Sequence, residues 1–374
     1  MRFTIAKDIF RTAIQRTLGI SDRKSTIPIL NYLLLKTEEE KLKLVATDRE
    51  ISLIARYDVP ILEEGALAVS ARKLFEMVRE LPEGEVHCET GERGQMNITA
   101  GKVRYRLMGL PAEEFPAVLE VEKVPLYPIR AGVLVDLIEK TVYCASTDEL
   151  RTNMNGVFME VDESVNGVRL KMVATDGHRM AIAYSEPDEH GGMSLEKGIL
   201  IPRRGVVEIR RLLDDLGADT QVYLGLDKGM LVVKTEDFTM KVGLIDQEFP
   251  DYKRAIPLEK GIDIKINREQ MLHALRRMSV MSTDRYGGVV IILREGEIIL
   301  NSINPDVGEA SEELEVEYHG EEMRVGYNVR YLVEAIDVMK EEEVLFEIRG
   351  SFKPGVVRYV GSDQYASYIM PLRI

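Results

Sequence analysis

The chain has 374 residues, 45% of them apolar and 30% charged, with a formal charge of −14. That length exceeds one ordinary hydrophobic core and predicts two or three domains, and the apolar share excludes a disordered chain. No run approaches the ~18 apolar residues of a membrane span, residues 1–10 carry Arg2, Lys7 and Asp8 instead of an apolar leader, and the only cysteines are Cys88 and Cys144; a protein of the reducing cytoplasm, with no membrane partner, is expected.

In chain order, the first signal is an amphipathic helix over 7–18, where Phe10, Ala13 and Ile14 take the i, i+3, i+4 places and Thr17 the i+7 place. Leu44-Val45-Ala46-Thr47-Asp48-Arg49 follows, then a helix over 71–80 with Leu74, Met77, Val78 and Leu81 on one face. Val103-Arg104-Tyr105-Arg106-Leu107 alternates at period two like a strand, and Gly109-Leu110 with Glu114-Phe115-Pro116 closes the first third. After a linker at 122–128 the series returns. It has a helix over 131–142 (Leu134, Leu137, Ile138, with Thr141), Met172-Val173-Ala174-Thr175-Asp176-Gly177, a helix over 203–216 (Ile209, Leu212, Leu213, Leu216), a strand at Leu231-Val232-Val233, and Gly243-Leu244 with Glu248-Phe249-Pro250. The offset is 128 residues at the first landmark and 134 at the second.

A linker from Tyr252 to Gly261 leads to a third copy, with helices over 268–278 (Met271, Ala274, Leu275, Met278) and 328–340 (Leu332, Ala335, Ile336, Met339) and a strand at 289–293. Its landmark is worn to Ser302-Ile303-Asn304. Three tandem copies, each two helices packed on antiparallel sheet, predict an α+β chain divided at 1–124, 125–256 and 257–374.

Charge is unevenly shared. The six predicted helices together carry +5, so with a total of −14 the remainder carries −19. An amphipathic helix lays its apolar stripe on the sheet, so Lys7, Arg11, Arg16, Arg72, Lys73, Arg79, Arg203, Arg204, Arg210, Arg211, Arg268, Arg276 and Arg277 are expected to point away from the core and could line one surface that meets phosphates weakly.

Catalytic signatures are missing: there is no Gly-x-x-x-x-Gly-Lys, no Gly-x-Gly-x-x-Gly, no nucleophile elbow, no His-Glu-x-x-His and no Cys-x-x-Cys, and the five histidines lack metal-ligand spacing. No cofactor, metal or catalytic residue is expected. The one enzyme-like cluster, Asp176-Gly177-His178-Arg179, keeps open a hydrolase or transferase reading, but its twin Asp48-Arg49-Glu50 points to turn chemistry.

Five segments carry a resemblance: Ser25-Thr26-Ile27-Pro28-Ile29-Leu30; Ala71-Arg72-Lys73 with Leu81-Pro82-Glu83-Gly84; Ala174 to Arg179; Glu248-Phe249-Pro250-Asp251-Tyr252; and Met370-Pro371-Leu372-Arg373-Ile374. Over its full length the chain resembles the bacterial DNA polymerase III β subunit, the replicative sliding clamp. The resemblance implies tandem DNA-clamp domains in a head-to-tail homodimer, a six-domain ring with helices inside and sheet outside. Duplex DNA would be held without regard to sequence, and the replicative polymerase, clamp loader, repair polymerases and ligase-type proteins would bind through short peptides.

Carried over by similarity, the peptide pocket comprises Thr175, Gly177, His178, Arg179, Met180, Pro250, Arg254, Met370, Pro371, Leu372 and Arg373, with Met154 at its rim. Tyr368 and Ala255 stand where the family has aliphatics. The dimer joint would set Lys73, Lys102, Arg104, Tyr105 and Leu107 against Val280, Met281, Glu309, Glu312 and Glu313, basic against acidic. DNA-facing side chains would be Arg11, Arg23, Lys24, Arg72, Arg79, Arg151, Arg203, Arg204, Arg210, Arg276 and Arg277, with the segment 147–151 more acidic than the resemblance leads one to expect. A repeat scaffold that never touches DNA is the third reading.

Overall fold

The computed structural model describes residues 1–374 other than 22–26, 92–93, 119, 122–123, 149, 165–166, 284–286 and 374. Arg23 and Lys24 therefore lie outside the described residues. Among the described residues six α-helices form: α1 (Lys7–Ser21), α2 (Ala71–Arg79), α3 (Ala131–Glu139), α4 (Arg203–Leu213), α5 (Arg268–Ser279) and α6 (Val329–Asp337). None is long and apolar enough to cross a membrane.

Element order repeats with the sequence. Strand, helix, a run of strands, helix, three strands recurs three times, and only the first copy inserts an extra short strand, Ile61–Glu63. The periodic apolar positions are the ones buried: Phe10, Ala13 and Ile14 on α1, Leu134, Leu137 and Ile138 on α3, Met271, Ala274, Leu275 and Met278 on α5. Thr17 and Thr141 complete their faces because each hydroxyl, fully buried, donates back to its own helix, to the Ile14 and Leu137 carbonyls at 2.7 Å. Ser70, Asn267 and Asn328 cap α2, α5 and α6, their side-chain oxygens accepting from Lys73, Gln270 and Arg330 amides.

Two of the helix-borne cations do not point outward as expected. Lys7 and Arg16 are each only 9% exposed. Lys7 reaches Glu83 at 2.8 Å; Arg16 lies 5.9 Å over the Phe238 ring with Tyr57 at 3.3 Å, so their long stems fill the helix–sheet interface.

Compactness divides the chain into Met1–Ala131 with Arg211–Leu244, and Gly132–Arg210 with Ile245–Ile374. The cut passes through α3 and α4 because strand pairing shares out the middle copy. In the first unit, Phe238–Gly243 pairs antiparallel with Ile51–Asp58, carrying the last strands of the middle copy into a 13-stranded sheet. In the second unit, Arg179–Tyr184 pairs with Tyr365–Ile369 inside an eight-stranded sheet, and a four-stranded sheet runs Gly308–Glu315, Glu297–Asn304, Gly288–Arg294, Met323–Asn328. The rule is the same at both joints: the last strand of one copy lies against the third long strand of the copy before it.

Candidate functional site

The second joint is where the terminal segment and the Ala-Thr-Asp turn meet. Thr175 ends one strand and Arg179 opens the next; between them Gly177 takes φ +88°, left-handed backbone that glycine adopts freely. Asp176 organises this turn by accepting the His178 and Arg179 amides at 2.9 and 3.0 Å and the Arg179 Nε at 3.0 Å, while Thr175 Oγ1 donates to the Arg179 carbonyl at 2.7 Å. Asp48 does the same for Glu50 and Ile51 at 3.0 and 2.7 Å, with Arg49 at φ +82° in the glycine's place. The carboxylate of the enzyme-like cluster is thus consumed by turn formation. His178 stands exposed, its carbonyl accepting the Met370 amide at 3.0 Å.

That bond starts the terminal segment. Tyr368 pairs with Met180 and Ile369 with Arg179; Leu372 then donates to the Gly326 carbonyl at 2.8 Å, which lays Met370 to Arg373 along the sheet's end. Met370 and Leu372 remain 45% and 40% exposed, apolar side chains left at the surface. Beside them lies an apolar cluster: Val173, Met180, Ile182 and Tyr252 are buried, with Phe158, Tyr184, Phe249, Ile256 and Tyr368 packed against it. Phe158 and Phe249 stack at 5.0 Å. The segment from Tyr252 to Gly261, read as a plain linker, begins as a helical turn, Tyr252–Ala255, whose Tyr252 enters the cluster while Arg254 is exposed.

Thr175, Gly177, His178, Met180, Tyr368, Met370, Pro371 and Leu372 are therefore neighbours along one turn, one strand pair and one terminal segment, and Pro250 follows Phe249 of the adjoining cluster. Met154 ends a short helical turn, Thr152–Met154, whose Met154 carbonyl accepts the Ser146 amide at 2.9 Å, and Arg373 is exposed. Arg179 does something else. Its side chain, 10% exposed, lies 4.2 Å from the Tyr331 ring centroid and 5.3 Å from that of Tyr143, with Nη2 donating to the Tyr143 carbonyl at 2.6 Å and Nη1 bound to Glu334. It fastens the turn to α6. Tyr143, Tyr331 and Glu334 carried no motif signal, since only the fold brings residues 36 to 155 positions away onto Arg179.

The predicted DNA-facing cations are mostly paired. Arg72 reaches Glu76 at 3.2 Å, Arg79 Glu80 at 2.9 Å, Arg210 Glu139 at 2.6 Å and Arg276 Asp337 at 2.7 Å. Arg277 binds Glu312, holding that carboxyl below its usual range. Arg11 is exposed, Arg203 and Arg204 half-buried, and Arg151 turns to the Asp176 carbonyl at 3.1 Å.

Among the described residues, the last strand of the first copy and the third long strand of the last copy each keep an unpaired side. Val103–Leu110 pairs with Gln95–Ala100 over residues 103–108, but on its other side only Gly109 and Leu110 have partners. Gly308–Glu315 pairs on one side alone. Lys73, Lys102, Arg104, Glu309 and Glu313 are exposed there, Tyr105 and Met281 half-buried, and Leu107 8% exposed. Met108, Val280, Ile303 and Val307 show 56–71% exposure at the same two edges.

Family profiles for the DNA polymerase III beta subunit match throughout: its N-terminal domain at residues 1–120, central domain at 129–251 and C-terminal domain at 253–373. A "Beta sliding clamp" of Pseudomonas aeruginosa is 31% identical over 380 residues, covering all of both chains. Among solved structures, a Bartonella birtlesii sliding clamp bound to griselimycin is 30% identical with a TM-score of 0.93, and a Caulobacter crescentus beta sliding clamp with a polyethylene glycol at its "putative beta-motif tethering region" is 29% identical with 0.90; both cover all of both chains. Repeat, fold and full-length match agree, and the chain belongs to the DNA polymerase III beta subunit family, the beta sliding clamps.

Proposed function

We propose that two copies of this chain close head-to-tail into a ring around duplex DNA, and that the groove of Met180, Tyr368 and the terminal Met370 to Leu372 captures short peptides of replication proteins. The chain is a non-catalytic processivity factor: a topological tether turns polymerase rebinding into an intramolecular event at high local concentration. The three copies, 1–124, 125–256 and 257–374, supply six domains per ring, in the cytoplasm, where free Cys88 and Cys144 remain reduced. Replicative polymerase, clamp loader, repair polymerases and ligase-type proteins take turns at the groove.

The pairing rule carries this reading. Each internal joint sets a last strand on a third strand, and one of each remains open. Lys241 faces Ser52 and Tyr368 faces Met180; the corresponding residues of the open edges are Leu107 and Glu309. Copying the register puts Leu107 opposite Glu309 of the partner subunit, Tyr105 opposite the partner's Ser311 and Val103 opposite the partner's Glu313. Arg104 would then face the partner's Glu312. A heterologous contact of this kind closes when its rotation does, hiding both edges.

The test is retention on DNA. Loaded onto nicked circular duplex, the protein stays bound in high salt, where phosphate contacts fail, and leaves once the circle is linearised. Equal loss from circular and linear DNA would refute the ring.

A further inference from the structure

A cavity of about 820 Å3 opens on the same sheet face as the groove, within the second compact unit. Ile182, Tyr184, Ile256, Ala366 and Tyr368 line one side of it, and the other side is polar, with Arg169, Glu186, Arg358 and Asp363. Ile182, Ile256 and Tyr368 also belong to the apolar cluster beside Met180, so cavity and groove share a wall. The volume falls within the roughly 300–1,000 Å3 of small-ligand pockets.

Two cations pack against the wall. Arg169 and Lys171, 5% and 3% exposed, both sit at the Tyr184 ring, 4.3 and 5.5 Å from its centroid. Arg169 makes a forked pair with Asp363 at 2.9 and 3.1 Å, and Lys171 is bound to Glu160 and Asp162 at 2.6 and 2.9 Å. Burial works to lower the Lys171 pKa, yet its bonds to Glu160, Tyr252 and Asp162 leave it raised. Only the cations are buried: Asp363 is 59% exposed and Glu160 and Asp162 are 20% and 24% exposed, so each carboxylate anchors its cation against the tyrosine. A pre-ordered aromatic wall spares a ligand the entropy of ordering it.

We propose that this cavity is a second subsite of the docking groove, taking a bulky apolar side chain, aromatic by preference, from the same partner peptide that fills the Met180 pocket. The proposal rests on the groove being a peptide site. Met180 and Tyr184 are four residues apart on one strand, about 13 Å, so an extended peptide would reach the cavity about four residues from its first anchor.

The experiment selects short peptides from a random hexapeptide display library on the intact dimer, then extends the winners by six random residues at both ends and selects again. Extended peptides are expected to gain about tenfold in affinity, the size of one interface anchor, with an aromatic enriched near four residues from the core. Ala366→Trp, which fills the cavity, and Tyr184→Ala, which removes its wall, should each return extended peptides to the affinity of the short ones and leave the short ones unchanged. Extended peptides that gain nothing, or that keep their gain in both variants, overturn the subsite. Met180→Ala separates the two readings: if it leaves short-peptide binding intact, the groove itself is wrong.

Discussion

The two internal joints have the same construction and opposite surfaces. Val45 and Val173, Ile54 and Ile182, Phe115 and Phe249 occupy matching places, and each joint has its buried apolar cluster. One difference lies in a facing pair of residues. Where the second joint has Met180 facing Tyr368, the first has Ser52 facing Lys241. Ser52 Oγ is 2.7 Å from Thr47 Oγ1, and Lys241, 9% exposed, is bound to Asp227 at 3.0 Å. The first joint satisfies its polar groups internally and offers no apolar floor; the second leaves polarizable and aromatic side chains beside a surface-lying terminal segment, a face that can repack around different anchors. Duplication alone therefore makes a joint, and the docking role proposed for the second rests on this pair of substitutions.

The sharpest way to break this comparison is to convert one joint into the other. Met180→Ser with Tyr368→Lys should cost at least about 100-fold in peptide affinity by fluorescence anisotropy, two hot-spot residues lost together, while circular dichroism still reports a folded chain. Undiminished affinity would mean that the floor does not discriminate between the joints.

A smaller effect tests what fixes the turn. Ile51 occupies the place of Arg179 in the first joint, so the guanidinium is peculiar to the second. Arg179→Met leaves Asp176 and Glu334 without their cation and should lower unfolding free energy by about 2 kcal/mol in a urea titration, less than a fully buried pair because Glu334 is 46% exposed. Peptide affinity should fall as well, through a loosened His178 and Met370. A stability loss with unchanged affinity would make Arg179 structural only.

Much of this was legible in advance. The Ala-Thr-Asp and Gly-Leu landmarks recur because they build the same turn and the same last strand, and helical periodicity located all six helices because each must bury one stripe. Local signals could not find Tyr143, Tyr331, Tyr184 or Arg169, whose roles depend on pairing between Arg179–Tyr184 and Tyr365–Ile369 across more than 180 positions. Charge misled for a related reason: Lys7 and Arg16 read as outward cations, yet a long aliphatic stem with one acid or ring at its tip is buried readily.

The smallest effect concerns matching lysines. Lys171 lies under Tyr184 in the second joint; its counterpart Lys43 lies beside Arg56, and both of those bind Glu120, Arg56 at 2.7 Å. Hydrogen bonding to Lys43 is the main cause that holds the Glu120 carboxyl below its usual range, with Arg56 adding attraction. A carboxyl depressed in the folded state contributes stability above its unfolded pKa and loses it as pH falls through the folded one. With 47% of the side chain exposed, screening limits the contribution to below about 1 kcal/mol. Glu120→Gln should therefore melt slightly lower than the parent at pH 7, and the gap should close as pH falls through the lowered carboxyl pKa and both come to carry a neutral side chain. A gap that persists in acid would place the stabilisation in packing, and the first joint would then owe its closed surface to shape more than to charge.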